Sequence, residues 1–345
     1  MVYRYVPILR WKKGERDALR NMAAGSRNDV IPLFVVGADR YVGREATKKH
    51  PALPPATVLV QEIARIWGNN PFYLDASAVS ATSSIAHPLA AIATQARALG
   101  LSLIPATTLA APILYQVAVD TITKIDHRGV ALRVDLQQFA SIGSWSTGWS
   151  IPQIETDLIA DFAGNMSAVS DLGITIDPVF IGAATSGKWR TITMAGTSMP
   201  ENFTGYAAGT HILKRAEWTM WQRLSSTAGL PYRLDYGDYA TISVVPAPEG
   251  ISWGYPINVK YTLDSAFLIC RGVTTTGLGG VDMGPQLIAH ARTIMSYPGR
   301  RPLAHCVGDQ QIDHIALTGQ KQGNLPTWVT ISVNRHIELV RHLLP

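Results

Sequence analysis

The sequence predicts a TIM-barrel-like (β/α)8 fold with a C-terminal β-hairpin and helices packed on it. Eight strand-like segments alternate with helical or loop connections, over about 240 residues, a usual length for this fold. Some segments are almost continuously apolar, which is typical of parallel strands covered on both faces. The 345 residues are 47% hydrophobic and 16% charged, which is enough for a large core. A doubly wound open sheet has the same alternation and is the alternative.

The expected strands are short segments that are apolar or alternating and that are bounded by turn residues. Val30–Val36 is nearly all apolar, and Pro71–Asp75 ends in a carboxylate. The segment His127–Gln137 carries apolar residues at every second position. The eight expected strands are Tyr5–Trp11, Val30–Val36, Pro71–Asp75, Leu101–Pro105, His127–Gln137, Ile174–Ile181, Trp189–Ala195 and Tyr232–Tyr239.

The expected helices show apolar residues at helical spacing or a stop signal at one end. In Val58–Trp67, the apolar residues Val58, Ile63 and Ile66 recur at helical spacing. Gly100 follows His87–Leu99, at the position where glycine commonly ends a helix. The expected helices are Glu15–Met22, Val58–Trp67, His87–Leu99, Ile113–Ile125, Ile151–Ala168 and Ile212–Ser225.

The chain after Gly250 has a different pattern. Two short apolar segments with a tight connection predict a β-hairpin, and two helical segments follow. We therefore expect residues 1–250 to form the barrel and residues 251–345 to form an α+β appendage packed on it. The expected appendage elements are Asn258–Thr262, Phe267–Arg271, Pro285–Met295 and Thr327–Leu344.

Charge and composition exclude some classes of protein. The formal net charge is +5 and the sequence pI is about 9.2, but the basic residues are spread along the chain rather than gathered in the patch that is typical of nucleic-acid binders. A nucleic acid or a nucleotide is therefore a less favoured partner. No apolar run approaches the roughly 20 residues of a membrane span, so we expect a cytoplasmic protein with no membrane contact. Cys270 lies in an apolar segment and is expected to be a buried free thiol.

Polar residues at the ends of the expected strands form the candidate site. The carboxyl ends of barrel strands converge on one mouth, where such proteins carry their ligand sites. Arg133 and Asp135 are two residues apart in the fifth expected strand, so they are expected to share a face. The ligand-binding candidates are Lys12, Asp75, Arg133, Asp135, Ser198, Asp238 and, on the hairpin, Arg271.

These residue types allow two kinds of chemistry. An arginine beside a carboxylate can orient a phosphate, a sugar or a base, and the pair Asp75 and Asp135 can act in acid–base catalysis or hold a divalent ion. The alternative is that Arg133 and Asp135 form a buried pair that only stabilises the barrel. The sequence contains no phosphate-binding, dinucleotide-binding, serine-hydrolase or zinc-protease motif. No cofactor, metal or catalytic residue is assigned from it.

Short motifs spaced along nearly the whole chain are shared, in the same order, with one family. They are Tyr5–Glu15 with Ala18 and Leu19, Ile31–Leu33, Gly196–Pro200, Arg215 with Glu217 and Trp218, Tyr236–Tyr239, Lys260–Thr262 with Arg271 and Gly272, Gly308 and Asp309, and Gly323 and Asn324 with Trp328 and His336. In these motifs the chain resembles the phage "beta protein" family.

The resemblance implies a gene carried by phages, satellite phages and bacterial mobile islands, with links to phage exclusion and to toxin-like neighbouring genes. It implies no established chemistry, so it transfers no catalytic residue. The chain departs from the family pattern at the end of the second strand. There Val35 and Val36 stand in place of an acidic residue, and Asp39 is the nearest replacement.

Three functions remain open. The first is a component of bacterial anti-phage defence or inter-phage competition, which binds a ligand or a partner protein, encoded by a neighbouring gene, at the barrel mouth. The second is a metal-assisted phosphodiester or nucleotide hydrolase, with Asp75 and Asp135 as ligands or base and with Lys12 and Arg133 on the phosphate. The third is a non-catalytic protein that neutralises a partner toxin through its surface.

Overall fold

Eight parallel strands close into a barrel in this computed structural model, which describes residues 4–48, 50–80, 86–164, 166, 178–183, 187–227, 230, 232–245 and 256–345. The (β/α)8 barrel is therefore confirmed, and the open sheet is not formed. The barrel strands are β1 Tyr5–Arg10, β2 Leu33–Val35, β3 Phe72–Asp75, β4 Leu103–Thr108, β5 Val130–Val134, β6 Thr156–Asp161, β7 Thr191–Gly196 and β9 Leu234–Asp238, with β8 Gly209–Lys214 in a second sheet.

The barrel closes between its last and first strands. Tyr236 of β9 lies beside Tyr5 of β1, and Asp238 lies beside Pro7. The interior is filled at mid-height by apolar side chains, among them Val6 and Ile8, as in other packed barrels of this class. Because side chains alternate along each strand, Tyr5, Tyr236 and Asp238 face outward, toward the helical layer.

Helices connect the strands and form the outer layer. They are α1 Lys13–Arg20, α2 Pro55–Trp67, α3 Leu89–Ala98, α4 Ile113–Asp126, α5 Leu136–Ala140, α6 Ile142–Trp145, α7 Ala216–Ser225, α8 Met283–Met295, α9 Val307–Thr318 and α10 Leu325–Leu343. Residues 178–183 are also helical. Among the described residues, no helix is long and apolar enough to cross a membrane.

The sixth strand differs from its predicted position. The pattern predicts a helix over Ile151–Ala168, but β6 occupies Thr156–Asp161 within it. The expected sixth strand, Ile174–Ile181, is also wrong where it can be compared, because residues 178–181 are helical and residues 174–177 lie outside the described chain. All six residues of β6 are buried. A strand buried on both faces loses the alternation that distinguishes it from a helix.

A second sheet of three antiparallel strands lies beside the barrel. The predicted hairpin is confirmed as β10 (Asn258–Thr262) and β11 (Ala266–Arg271), and all of β10 pairs with β11. The third strand is β8, whose residues pair with β11. A continuous helix over Ile212–Ser225 is therefore wrong, since the chain leaves β8 at Lys214 and begins α7 at Ala216.

The long helix α10 joins the barrel to this second sheet. Val333, Ile337 and Val340 of α10 pack in the main core together with residues of β1 and α1. The Asn334 amide donates to the Ala18 carbonyl oxygen of α1 at 3.1 Å, and His336 contacts Asp238 at the end of β9. Helix α10 thus covers the outer face of β9 and β1, where a barrel of this class carries its eighth helix.

Candidate functional site

A polar cluster occupies the carboxyl end of the barrel, above the apolar interior. Four side chains meet there: Asp75 from the end of β3, Arg133 from β5, Asp161 from the end of β6, and Tyr239, which directly follows β9. We call these four residues the mouth cluster. Three come from strand ends, so the barrel itself fixes their relative positions.

Arg133 is the centre of the mouth cluster. Its guanidinium donates to the Asp75 carboxylate at 3.0 Å and to the Asp161 carboxylate at 2.8 Å. It also lies 3.3 Å from the Tyr239 hydroxyl, which donates to Asp161 at 2.5 Å. Each of these contacts involves a charged group, which makes the hydrogen bonds stronger than neutral ones.

Backbone groups hold both carboxylates in position. The second oxygen of Asp75 accepts from the Ser77 amide at 3.0 Å and from the Ser77 hydroxyl at 2.7 Å. In the same way, the second oxygen of Asp161 accepts from the Ala163 amide at 3.0 Å. These bonds to a residue two positions along the chain are typical of Asp at the start of a turn. The two carboxylates are therefore preorganised on either side of Arg133.

Arg133 is charged and Tyr239 is neutral at neutral pH. Burial alone would lower the pKa of Arg133, but Asp161, Tyr239 and Asp75 outweigh it and raise the pKa above its ordinary value. Burial, followed by the negative charge of Asp161, raises the pKa of the Tyr239 hydroxyl, which remains a neutral donor. Arg133 keeps 18% of its side-chain surface exposed, and its Nε has no hydrogen-bond partner among the described residues.

The segment after β9 lies over one side of the mouth. Arg10, at the end of β1, donates to the carbonyl oxygens of Ser243, at 2.8 Å, and of Val244. The Val244 side chain packs against the apolar interior of the barrel. A cavity of about 320 Å³ opens on another side, lined by Ser77 and by residues that begin α4. Since Ser77 binds Asp75, this cavity adjoins the mouth cluster.

Asp135 does not pair with Arg133. Strand β5 ends at Val134, so the alternation that predicts a shared face stops before Asp135. Asp135 is exposed and caps α5: its carboxylate accepts from the Gln138 amide at 2.8 Å, and the Gln138 side chain accepts from the Asp135 amide at 3.1 Å. The expected partner of Arg133 is thus replaced by Asp75 and Asp161.

Three other candidates take other positions. Lys12 is half-buried and directly precedes α1. Ser198 joins the end of β7 to α7, because its amide donates to the Glu217 carboxylate at 3.0 Å and its hydroxyl accepts from the Ala216 amide at 2.8 Å. Arg271 ends β11 in the second sheet and donates to the Asn258 side chain at 3.0 Å.

Asp238 is enclosed on the outer side of the barrel wall. Its carboxylate accepts from the hydroxyls of Tyr5 at 2.6 Å and Tyr236 at 2.8 Å, and from the Ala240 amide at 2.9 Å. The His336 ring lies 2.7 Å away. Asp238 is 1% exposed and so does not reach the mouth.

Charge keeps Asp238 ionised in spite of its burial. Burial alone would raise its pKa, but His336, Arg215 and the Tyr5 hydroxyl outweigh it and lower the pKa to about 2. Burial lowers the pKa of His336, so the ring is neutral at pH 7. Its Nε2–H then donates to Asp238, while Nδ1 accepts from the Thr262 hydroxyl at 3.0 Å.

A second arginine–aspartate pair lies at the opposite, amino-terminal end of the barrel. Arg190 donates to both carboxylate oxygens of Asp157, at 2.8 and 2.5 Å. The Tyr73 hydroxyl donates to the same carboxylate at 2.7 Å. Conserved function in these barrels belongs to the carboxyl end and stability to the amino end, so this pair is a structural counterpart of the mouth cluster.

Sequence reasoning misses two members of the mouth cluster. Asp161 is missed because its strand is expected to be a helix, although an aspartate that ends the apolar run of β6 resembles Asp75 at the end of β3. Tyr239 lies within the eighth expected strand, but a tyrosine there carries no site signal of its own. No group of three or more His, Cys, Asp or Glu residues in the described chain is arranged to hold a metal ion.

Comparison with known proteins gives a family match and a structural likeness. No curated protein matches the sequence. The crystal structure of triosephosphate isomerase from Bartonella henselae aligns with 70% of this chain and 94% of its own, at 14% identity and a TM-score of 0.36, and no functional argument rests on it. The family model for "Beta protein" matches residues 5–342, nearly the whole chain. This chain therefore belongs to the Beta protein family.

Proposed function

We propose that this protein is a cytoplasmic component of bacterial anti-phage defence or inter-phage competition, which binds a polar ligand or a segment of a partner protein at the barrel mouth. Family membership supports the phage association. The observation that carries the binding site is Arg133, which is held between two carboxylates, keeps part of its side chain exposed, and has a buried Nε without a hydrogen-bond partner among the described residues. The carboxyl end of a barrel is also where ligands bind in this fold class.

The chemistry of the mouth cluster limits the ligand. Asp75 and Asp161 carry two negative charges against the single positive charge of Arg133. A ligand at this place is expected to present hydrogen-bond donors to the carboxylates and one acceptor to Arg133. Hydroxyl or amino groups meet the first requirement, and a carbonyl or hydroxyl oxygen meets the second. A partner protein, encoded by a neighbouring gene, can supply the same groups from a polar loop.

Metal-assisted hydrolysis has less support. Both carboxylates of the mouth cluster are already bound to Arg133, and Asp135, the other expected ligand, caps α5. A bound divalent ion would have to displace the guanidinium from between the two carboxylates. We therefore favour binding over metal-assisted catalysis.

The proposal is tested with Arg133→Gln and with Arg190→Gln as its matched control. Arg133→Gln removes an arginine from two buried carboxylates and Arg190→Gln removes one from a single buried carboxylate, at opposite ends of the same barrel. Loss of one partner from a buried pair costs about 3–5 kcal/mol of stability in either case. We expect Arg133→Gln to abolish protection in a phage-challenge assay, with the neighbouring genes present, while Arg190→Gln retains it at equal protein abundance.

A milder variant separates a loss of binding from a loss of folding. Tyr239→Phe removes only the hydroxyl that binds Asp161, and it is expected to weaken protection without a large change in melting temperature. Equal loss of protection in Arg133→Gln and Arg190→Gln would mean that the mouth cluster only stabilises the barrel. Full protection by Arg133→Gln, with a neighbouring gene product still co-purifying, would favour neutralisation of a toxin through another surface.

A further inference from the structure

A groove lies on the outer flank of the barrel, away from the mouth cluster. It has a volume of about 650 Å³ and lies between α1, α2 and the start of α10. That volume is within the range of small-molecule sites, which is roughly 300–1,000 Å³. It shares no lining residue with the mouth cluster. A ligand in this groove would therefore contact different residues from a ligand at the mouth.

The groove carries an excess of positive charge. Its charged residues are the cations Lys13, Arg16, Arg20 and Arg65 and the anions Asp17 and Glu62, so four positive charges face two negative ones. The remaining lining is almost entirely uncharged and polar. A local charge of +2, at a place where the walls can also form hydrogen bonds, favours a small anion over an apolar ligand.

The two carboxylates are already shared among the cations. Asp17 binds Lys13 at 2.9 Å and also binds Arg20, and Glu62 binds Arg16. Arg65 is exposed and forms no salt bridge with any residue that the structure describes. Arg20 is 43% exposed. Arg20 and Arg65 can therefore turn toward a ligand without breaking a buried contact.

The direction of the helices adds to this charge. The 19-residue helix α10 begins at Leu325, and the groove is lined by residues of its first turn. Helix α1 begins at Lys13, which also lines the groove. The amino-terminal end of a helix carries a partial positive charge, which stabilises a nearby anion. Both helix ends thus act in the same sense as the arginines.

We propose that this groove binds a phosphomonoester of about the size of a mononucleotide. A phosphate monoester carries a charge of about −1.5 to −2 at neutral pH, which matches the local excess of +2. Two guanidinium groups offer the planar pairs of N–H donors that suit phosphate oxygens. The uncharged polar lining, which includes Gln311 and Asn21, is available to the rest of the ligand.

The proposal is tested by calorimetric titration of the full chain with AMP, with adenosine as the uncharged probe. The test variant is Arg20→Gln/Arg65→Gln. The matched control is Lys124→Gln/Arg301→Gln, which removes the same charge from residues that are 72% and 80% exposed elsewhere on the surface. We expect saturable AMP binding with a Kd below about 1 mM, a weakening of about tenfold or more in the test variant, and less than about twofold in the control.

The same titrations contain the outcomes that would overturn the proposal. Adenosine is expected not to bind, and added salt is expected to weaken AMP binding because the site is exposed. Absence of saturable AMP binding, or an equal weakening in both double variants, refutes the site. Inorganic phosphate that binds as tightly as AMP refutes the nucleotide-sized ligand. Binding of hexaglutamate in preference to AMP would assign the groove to an acidic protein segment instead.

Discussion

Replacement of Asp238 by asparagine should destabilise the protein by about 3 kcal/mol at pH 7. The buried carboxylate accepts hydrogen bonds from Tyr5, Tyr236, Ala240 and His336. An asparagine side chain keeps one acceptor oxygen and turns the other acceptor into a donor. Hydrogen bonds to a charged group contribute about 1.5–3 kcal/mol each, so losing one or two of them, partly offset by rotation of the tyrosine hydroxyls, gives the expected value.

Part of this loss depends on pH, with a sign that follows from the lowered pKa. The pKa of Asp238 falls from 3.8 to about 2 in the folded state, which corresponds to about 2 kcal/mol of stability. That contribution is present above the unfolded pKa and is lost as the pH falls toward 2. About 1 kcal/mol of it should be lost by pH 3. Arg215, 3.9 Å away, and the uncharged donors keep Asp238 ionised even when His336 is neutral.

Urea denaturation of the wild-type protein and of Asp238→Asn, at pH 7 and at pH 3, measures both effects. Asp120→Asn is the control, because Asp120 forms only an exposed pair with Lys124 on α4, worth less than about 1 kcal/mol. The stability difference between Asp238→Asn and wild type should be about 3 kcal/mol at pH 7. At pH 3 the partial loss of the Asp238 charge shrinks it by about 1 kcal/mol, whereas protonation of His336, whose pKa Asp238 raises, widens it. A difference that is absent at pH 7 would refute this account. A stable variant without function would instead point to a ligand at Asp238.

Two further substitutions test the core. Burial outweighs the charge of Arg10 and raises the pKa of Glu15 from 4.5 to about 7. Between these two pH values the folded state holds a proton that the unfolded state releases. The stability of the protein therefore falls as the pH rises through this range. Glu15→Gln should remove this fall, of up to about 3 kcal/mol, when urea midpoints at pH 5 and pH 8 are compared with wild type. Gly237→Ala would bring a Cβ to 3.0 Å from both the Ala195 Cβ and the Val6 carbonyl oxygen. This overpacking should destabilise the protein by about 1–3 kcal/mol. Gly143→Ala is the control, because Gly143 has open space around it, and it should leave the melting temperature nearly unchanged. Equal effects of the two substitutions would contradict the overpacking.

Local patterns identify most of the barrel strands, and they fail where distant contacts decide the structure. Val30–Val36 and Tyr232–Tyr239 contain β2 and β9 because the apolar or alternating pattern lies within each segment. Strand β8 has an exposed, polar-rich sequence and becomes a strand by pairing with β11, more than fifty residues later. Only the tertiary structure supplies that partner. The predicted helix there extends back over Ile212, which actually belongs to β8.

The sequence predicts part of the candidate site, as it predicts part of the fold. Asp75 and Arg133 are found because a charged residue at the end of an apolar strand is visible in the sequence alone. Their partner is misassigned, since strict alternation favours Asp135 while the chain turns into α5 directly after Val134. Asp161 depends on the assignment of β6. The misassignment of β6 therefore removes one carboxylate from the predicted site, and the predicted extension of β5 beyond Val134 adds a wrong one.

The position of α10 has a consequence for synthesis on the ribosome. The chain completes its last barrel strand at Asp238, but the helix that covers this strand and β1 begins only at Leu325. Synthesis proceeds at about 5–20 residues per second, so the nascent barrel lacks that helix for several seconds. During this interval the outer faces of Tyr5 and Tyr236 lack their cover and Asp238 lacks His336. A stop codon placed before Leu325 should therefore yield a chain that chaperones retain and proteases degrade, although it encodes all eight barrel strands.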